Sequence, residues 1–200
     1  TAGEAIGANT LLLRVGAYYH DIGKMTNPKL FAENQSGGQN PHNDLDAYES
    51  AKIIINHAKH GEEIARKMGL PEIILEFISQ HHGTMLVEYF YNKAVKESSD
   101  SRPLKRDFRY PGPKPQTVEA AILMIVDAVE AASRSLQKPT QSEIGKMIRL
   151  LVMKRVADGQ FDECNLSTRQ LAKIIQTLVD SLKASFHSRV AYPWQEKAKK

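Results

Sequence analysis

Cysteine is nearly missing from this chain. Cys164 is the single thiol in 200 residues, so no internal disulfide can form and the composition suits a reducing compartment. Long hydrophobic runs are missing as well. The longest lies near residues 120–129, is interrupted by Asp127, and is too short and too charged to span a bilayer. No basic segment precedes an apolar run, so no signal peptide is visible. With 9 Pro and 12 Gly, the chain is too poor in both to be collagen-like or disordered. Neither sign of charge is in large excess: 27 Lys and Arg stand against 23 Asp and Glu. The net charge of +4 suits anionic partners without demanding nucleic acid, and no nucleic-acid partner is expected.

What is present is ordinary globular composition, 42% hydrophobic. A chain of this length can bury roughly 70% of its unfolded surface. It opens at Thr1 rather than Met and reads as a segment of a longer protein, one domain over residues 1–200.

Almost every periodic stretch has helical spacing, and no alternating strand pattern is found, so an all-α fold of about eight helices is expected. Asn9 or Thr10 caps a helix running to about Gly23. An apolar helix covers Ser50 to about His57, and a second one follows it and ends at Gly69. Pro71 sits at the favoured first position of a helix over 71–82. Further helices cover about 85–97 and 117–136. Thr140-x-x-Glu143 reads as a capping box, and Ser167-x-x-Gln170 opens the last helix. Residues 25–46 and 98–116 fit no helix; such long polar stretches are either solvated linkers or functional loops. The second carries Arg102, Lys105, Arg106, Arg109 and Lys114 beside Phe108 and Tyr110, a mixture that suits a phosphate and a base.

Histidine and aspartate cluster where a purely structural core would not place them. His20-Asp21 ends one apolar helix, His81-His82 ends another, and His57 and Asp127 each interrupt an apolar run. Imidazole nitrogens with carboxylate oxygens form a ligand set for iron, manganese or zinc. Adjacent helical residues point about 100° apart, so neighbouring ligands require two metals or a frayed helix end. An aspartate has two oxygens and can bridge two ions. A two-metal site activates water and neutralises charge on a phosphate, which is the chemistry of phosphoester hydrolysis. Each piece has a blander reading. A lone His57 can be a packed histidine. Asp127, Glu130 and Arg134 can form one wet stripe. His42 and His60 are rival ligands, and Lys24 can be a solvated helix-end cation rather than a phosphate contact.

The combination HDIGK, His57, HHG at 81–83 and Asp127 in an Ala-rich helix resembles the HD superfamily of metal-dependent phosphohydrolases. The stretches VGAYYHDIGKMTNPKLFAENQ, NPHNDLDAYESAKIIINH, ISQHHGTMLVEYFYNKA and DFRYPGPKPQTVEAAILMIVDAVEAASRS are similar to its seven-transmembrane HD branch, which includes the PgpH-type cyclic di-AMP phosphodiesterases. The likeness is close over residues 1–135 and looser beyond. No Gly-Tyr-Pro follows HHG, so the HD-GYP branch does not fit.

The resemblance implies a binuclear centre of iron or manganese. Asp21 would bridge two divalent ions, with His57, His81 and His82 on one ion and His20 and Asp127 on the other. In that branch a further histidine lies farther upstream of the His-Asp pair than the 19 residues that precede His20 here. One metal site is therefore expected to be complete and the other short by one imidazole. Asp21 and Lys24 are the expected catalytic residues. Lys24, Arg109, Tyr110, Lys114 and Arg134 are the expected substrate contacts. The implied activity is hydrolysis of cyclic di-AMP to pApA by a soluble domain on the cytoplasmic face of a membrane protein, with no membrane contact by this segment itself. An HD-type nucleotidase or other phosphodiesterase, and a catalytically decayed nucleotide-sensing module, are the alternatives.

Overall fold

Helix boundaries follow local capping chemistry in the computed structural model, which describes residues 1–35, 40–98 and 102–187. Seven α-helices are present among these residues, not eight. They are α1 (Thr10–Tyr19), α2 (Ala47–Lys67), α3 (Glu72–Gln80), α4 (Glu88–Glu97), α5 (Val118–Ser133), α6 (Gln141–Ala157) and α7 (Thr168–His187). No strand forms among the described residues beyond an isolated antiparallel bridge between Leu86 and Arg109.

The Asn9 side chain accepts the Leu12 N–H and starts α1. Thr140 and Glu143 close the expected capping box on α6, and Ser167 and Gln170 exchange the same reciprocal bonds at the start of α7. Asp46 and Glu49 form a third such box, which starts α2 ahead of the expected Ser50.

Three further boundaries differ from expectation. First, α1 stops at Tyr19 and residues 22–26 wind as a 3-10 helix. Second, the two helices expected between Ser50 and Gly69 are one, because Gly61 serves close packing rather than a turn. A Cβ on Gly61 would lie 2.8 Å from Ile78 Cγ2 and 3.1 Å from the Gly23 nitrogen. Third, α4 starts at Glu88, since residues 85–87 run extended against 108–110. There Tyr110 N–H donates to the Met85 carbonyl at 3.0 Å and Val87 N–H to the Phe108 carbonyl at 2.8 Å. The segment 25–46 is not structureless either: short 3-10 turns at Pro28–Leu30, Ala32–Asn34 and Pro41–Asn43 order much of its described part.

Three apolar clusters hold the helices. One joins α5, α6 and α7 through Ile122, Ile125, Ile144, Ile148 and Ile174. A second packs α2 and α4 around Phe108, which is fully buried. The third packs α1 and α3 against the end of α2 through Ala65, Leu75 and Ile78. α2 belongs to two of these clusters, and the 3-10 turn at 22–26 lies along it.

That contact depends on Gly23. A Cβ there would fall on the His57 carbonyl and 2.5 Å from the Gly61 nitrogen, both backbone atoms of α2 that have little room to yield. Gly23→Ala is therefore expected to cost about 3 kcal/mol, the scale of an overpacked core, and to lower the melting temperature by roughly 10 °C. A thermal scan showing an unchanged midpoint would refute this close packing.

Candidate metal centre

Four elements deliver six side chains to one place. His20 caps the C-terminus of α1 and His81 that of α3, while His57 and Asp127 project from the interiors of α2 and α5. His20 keeps helical dihedrals, and the chain leaves α geometry at Asp21, where φ is −102° and ψ is 12°. Both side chains of the dipeptide reach the cluster.

Ligand-capable atoms of Asp21, His57, His81 and His82 all lie within 4.8 Å of one another, and so do those of His20, Asp21 and Asp127. Asp21 belongs to both groups. Its Oδ1 is 3.3 Å from His57 Nε2 and 3.6 Å from His81 Nε2, and its Oδ2 is 3.3 Å from His20 Nε2. Asp127 Oδ1 lies 3.6 Å from His20 Nε2, and its Oδ2 lies 3.9 Å from His82 Nδ1.

The imidazoles are turned by their own helices. His20, His57 and His81 each place Nδ1 against the carbonyl three residues earlier, at 2.9, 2.6 and 2.7 Å. A carbonyl only accepts, so each Nδ1 carries the proton, and in the neutral ring Nε2 is a bare lone pair aimed inward. Two such lone pairs, on His57 and His81, face each other at 3.1 Å. Asp21 Oδ1 and His20 Nε2 are buried there without a hydrogen-bond partner. Buried acceptors facing acceptors are costly unless a cation lies between them.

Charge in the cluster is set by burial and by these neighbours. Burial lowers His81, and lowers His82 well below the usual imidazole range with help from the neighbouring histidines. Burial also opposes a charged His20, but the Asp127 and Asp21 carboxylates outweigh it and raise that ring to about 10. Burial works against ionised Asp21 too, yet His20, His57 and His81 hold its carboxyl far below the ordinary range. Asp127 is likewise held down, mainly by His20 acting against burial.

A pocket of about 350 Å³ opens over the carboxylates, lined by Asp21, Lys24, Glu33, Asp127, Glu130 and Arg134 among others. Lys24 and Arg134, two of the expected substrate contacts, line this pocket. Lys24 Nζ is 2.7 Å from Asp21 Oδ2 and also pairs with Glu33, a lining residue that sequence reasoning missed. Arg134 pairs with Glu130 at 2.9 Å. Asp127 lines the same pocket as this pair and also faces His20 and His82.

The other basic candidates are placed differently. Arg109 forks onto both Asp158 oxygens at 2.7 and 2.8 Å and donates to the Thr84 carbonyl, so its guanidinium is committed to the protein rather than offered to a substrate. Lys114 faces Asp162 at 3.7 Å. Tyr110 is buried and stacks on His82, with ring centroids 4.3 Å apart. It supports a ring of the cluster instead of lining the pocket. The rival histidines stay outside both groups: His42 meets the Leu30 carbonyl at 2.8 Å, and His60 lines a separate small cleft.

The family of HD domains matches residues 1–132. The chain belongs to the HD-domain family. Cyclic-di-AMP phosphodiesterase PgpH of Bacillus subtilis (strain 168) is 47% identical to it over 190 residues, 95% of this chain and 26% of the relative. The protein of the same description from Listeria monocytogenes serotype 1/2a (strain 10403S) is 45% identical over an equal span. The chain therefore spans about a quarter of the length of these curated relatives. The crystal structure of the L. monocytogenes PgpH HD domain in complex with cyclic-di-AMP matches with a TM-score of 0.88 at 45% identity, covering 92% of this chain and 85% of that one.

In this HD domain the donor set fits divalent ions. Imidazole nitrogens and ionised carboxylates converge, two of their atoms have no hydrogen-bond partner, and no thiolate takes part. One group offers four residues and the other three. Because His20 holds a proton in the metal-free state, loading the three-residue group must release it. Its affinity for metal is expected to rise with pH up to about 10, where His20 loses that proton unaided. Calorimetric titration with Mn²⁺ in two buffers of different ionisation enthalpy should show about one proton released with the second ion. Identical heats in the two buffers would contradict a protonated His20.

Proposed function

We propose that this HD domain is a metal-dependent phosphodiesterase that hydrolyses cyclic di-AMP to pApA. The observation that carries the reading is the pair of His/Asp groups sharing Asp21, with Asp21 and Asp127 lining a pocket together with Lys24 and Arg134. Support for the substrate comes from the relatives' description as cyclic-di-AMP phosphodiesterases and from the ligand in the matching crystal structure.

In this reading Asp21, His57, His81 and His82 hold one ion, and His20, Asp21 and Asp127 hold the other. The two ions, iron or manganese, supply an activated water and neutralise charge on the phosphate. The residues themselves do the positioning. Asp21 offers Oδ1 to one group and Oδ2 to the other, which fixes the distance between the two halves of the site. Lys24, already against Asp21, provides a cation that can turn from Glu33 to a phosphate oxygen. Arg134 can exchange Glu130 for a phosphate in the same way. Tyr110 holds the His82 ring in place from behind.

This domain is assigned to a larger membrane protein, on the cytoplasmic face, as the resemblance implies. Its small share of the relatives' length fits a domain of something larger. No helix among the described residues is long and apolar enough to cross a membrane.

The test is product analysis with cyclic di-AMP, cyclic di-GMP and mononucleotides on Mn²⁺- or Fe²⁺-loaded protein. Cyclic di-AMP should yield pApA, chelation should abolish turnover, and returning the metal should restore it. Release of phosphate from mononucleotides without cleavage of cyclic di-AMP would replace this reading with a nucleotidase. His81→Ala and His82→Ala should each lower metal content and cut turnover by roughly 100-fold, the scale of lost ligands or positioning groups. His60→Ala should cost far less, and equal losses at all three positions would sink the ligand assignment.

A further inference from the structure

His81 and His82 bring two adjacent imidazoles to one group of donors, whereas a continuing helix would point them about 100° apart. The chain leaves α3 at this pair and turns at once. Gly83 takes φ +50, its N–H donates to the Gln80 carbonyl at 2.9 Å, and the Met85 N–H donates to the His82 carbonyl at 3.0 Å. The shape of this turn sets where both rings point.

The groups that hold the turn come from distant parts of the chain. Thr84, next after Gly83, has each of its polar groups taken. Its N–H donates to Gln160 Oε1 at 2.9 Å, its hydroxyl accepts from Gln160 Nε2 at 2.8 Å, and its carbonyl accepts from Arg109 at 2.6 Å. Gln160 Nε2 also donates to Asp158 Oδ2 at 2.9 Å, the carboxylate that Arg109 grips. Gln160 is fully buried, and a Cβ on Gly83 would lie 2.4 Å from its Oε1, so the amide packs on the bare face of that glycine. A buried amide is costly unless its donors and acceptor are matched, and here Thr84 and Asp158 do the matching. Neither Gln160 nor Asp158 belongs to the two His/Asp groups, so any influence on them runs through the backbone of residues 82–84.

We infer that Gln160 is a positioning residue for the metal centre: by clamping Thr84 it fixes the turn that aims His81 and His82 at the same ion. The inference rests on the proposed reading of Asp21, His57, His81 and His82 as the ligands of one ion. A ligand pair on an unbraced turn has to be ordered when the ion arrives, and that ordering is subtracted from affinity. Groups that orient ligands from behind are typically worth roughly 10- to 100-fold in metal affinity. Gln160 lies beyond residues 1–132, the span that matches the HD family. The loop after α6 thus tunes ligands that the HD span supplies.

Gln160→Met tests it, because methionine fills similar space without an amide donor or a strong acceptor. The readouts are calorimetric titration of Mn²⁺ into metal-free protein and the visible absorption of Co²⁺-loaded protein. The first, tighter step, that of the four-residue group, should weaken roughly tenfold, and the Co²⁺ bands should shift. The second step, that of His20, Asp21 and Asp127, should keep its wild-type affinity. Val152→Ala, a buried truncation in α6, is the control for plain destabilisation. It should lower the melting temperature and leave both affinities unchanged. Wild-type affinity and spectrum in Gln160→Met, or a loss that Val152→Ala reproduces, would overturn the positioning role and leave the metal centre standing. If Gln160→Met does not fold, Gln160→Glu decides. It keeps an acceptor for the Thr84 N–H, loses the amide donors and should still weaken the first step alone; wild-type affinity there rejects the inference. Failure of the wild type to bind Mn²⁺ at the four-residue group would instead bring down the ligand reading, and this inference with it.

Discussion

Everything in this fold that bears on function depends on one electrostatic constraint: inward-facing imidazole lone pairs packed against one shared carboxylate. Three helices spend a carbonyl each, from Ala17, Ile54 and Ile78, to fix the proton of His20, His57 and His81 on Nδ1. In the neutral rings of His57 and His81 that choice leaves Nε2 bare and pointed at Asp21, while Nε2 of the charged His20 ring faces the Asp21 and Asp127 carboxylates. The helices contribute again through their direction. Both α1 and α3 end at the cluster, at His20 and His81, so the partial negative charge of two helix C-termini faces the same spot. Lone pairs, two carboxylates and two helix ends all favour a cation, and nothing in the cluster but a protonated His20 and Lys24 supplies one.

The remaining structure keeps that frustrated arrangement from collapsing. Gly23 allows the 3-10 turn after Asp21 to lie directly on the His57 carbonyl, which ties the aspartate to α2. Gly83, at φ +50, turns the chain sharply after His81-His82. Thr84 is then gripped by Gln160, its N–H donating at 2.9 Å and its hydroxyl accepting at 2.8 Å. Gln160 is fully buried and also donates to Asp158, which holds Arg109. Tyr110, next in the chain, stacks on His82. The strut thus runs from the loop after α6 to the back of the cluster. Arg109 acts in it by position, through the residue beside it.

Much of this was legible in the amino-acid sequence because polar residues in apolar helices announce themselves. His57 and Asp127 interrupt hydrophobic runs, and paired His-Asp and His-His dipeptides end helices; desolvation makes such placements expensive, so they carry information. The capping boxes at Thr140 and Ser167 were legible for a local reason, since their bonds close within four residues. Arg109 was not. A basic residue in a Pro-rich loop looks alike whether it meets a substrate phosphate or Asp158, and the partner lies 49 residues away. Glu33 and Gln160 were invisible for the same reason: each draws its meaning from a contact that only the fold creates. Gly61 lies where two helices were expected to part. A glycine inside a helical pattern can end the helix or permit close approach, and it is Ile78 and Gly23 from two other segments that make it the second here.

The division between core and addition has a physical consequence. Residues 1–132 contain every member of the two His/Asp groups, so the donor set belongs to the HD span itself. Yet Asp158 and Gln160, which brace the His81–Thr84 turn, lie beyond that span. The added helices are therefore not a passive cover. α6 and α7 pack on α5 through an apolar cluster that includes Ile122, Ile125, Ile148 and Ile174, the same α5 that carries Asp127 on its other face. Burial on one side of α5 fixes the position of a carboxylate on the other. One helix thus couples the packing of the added helices to the spacing of the site, and the strut through Gln160 does the same for the histidine pair on the opposite wall.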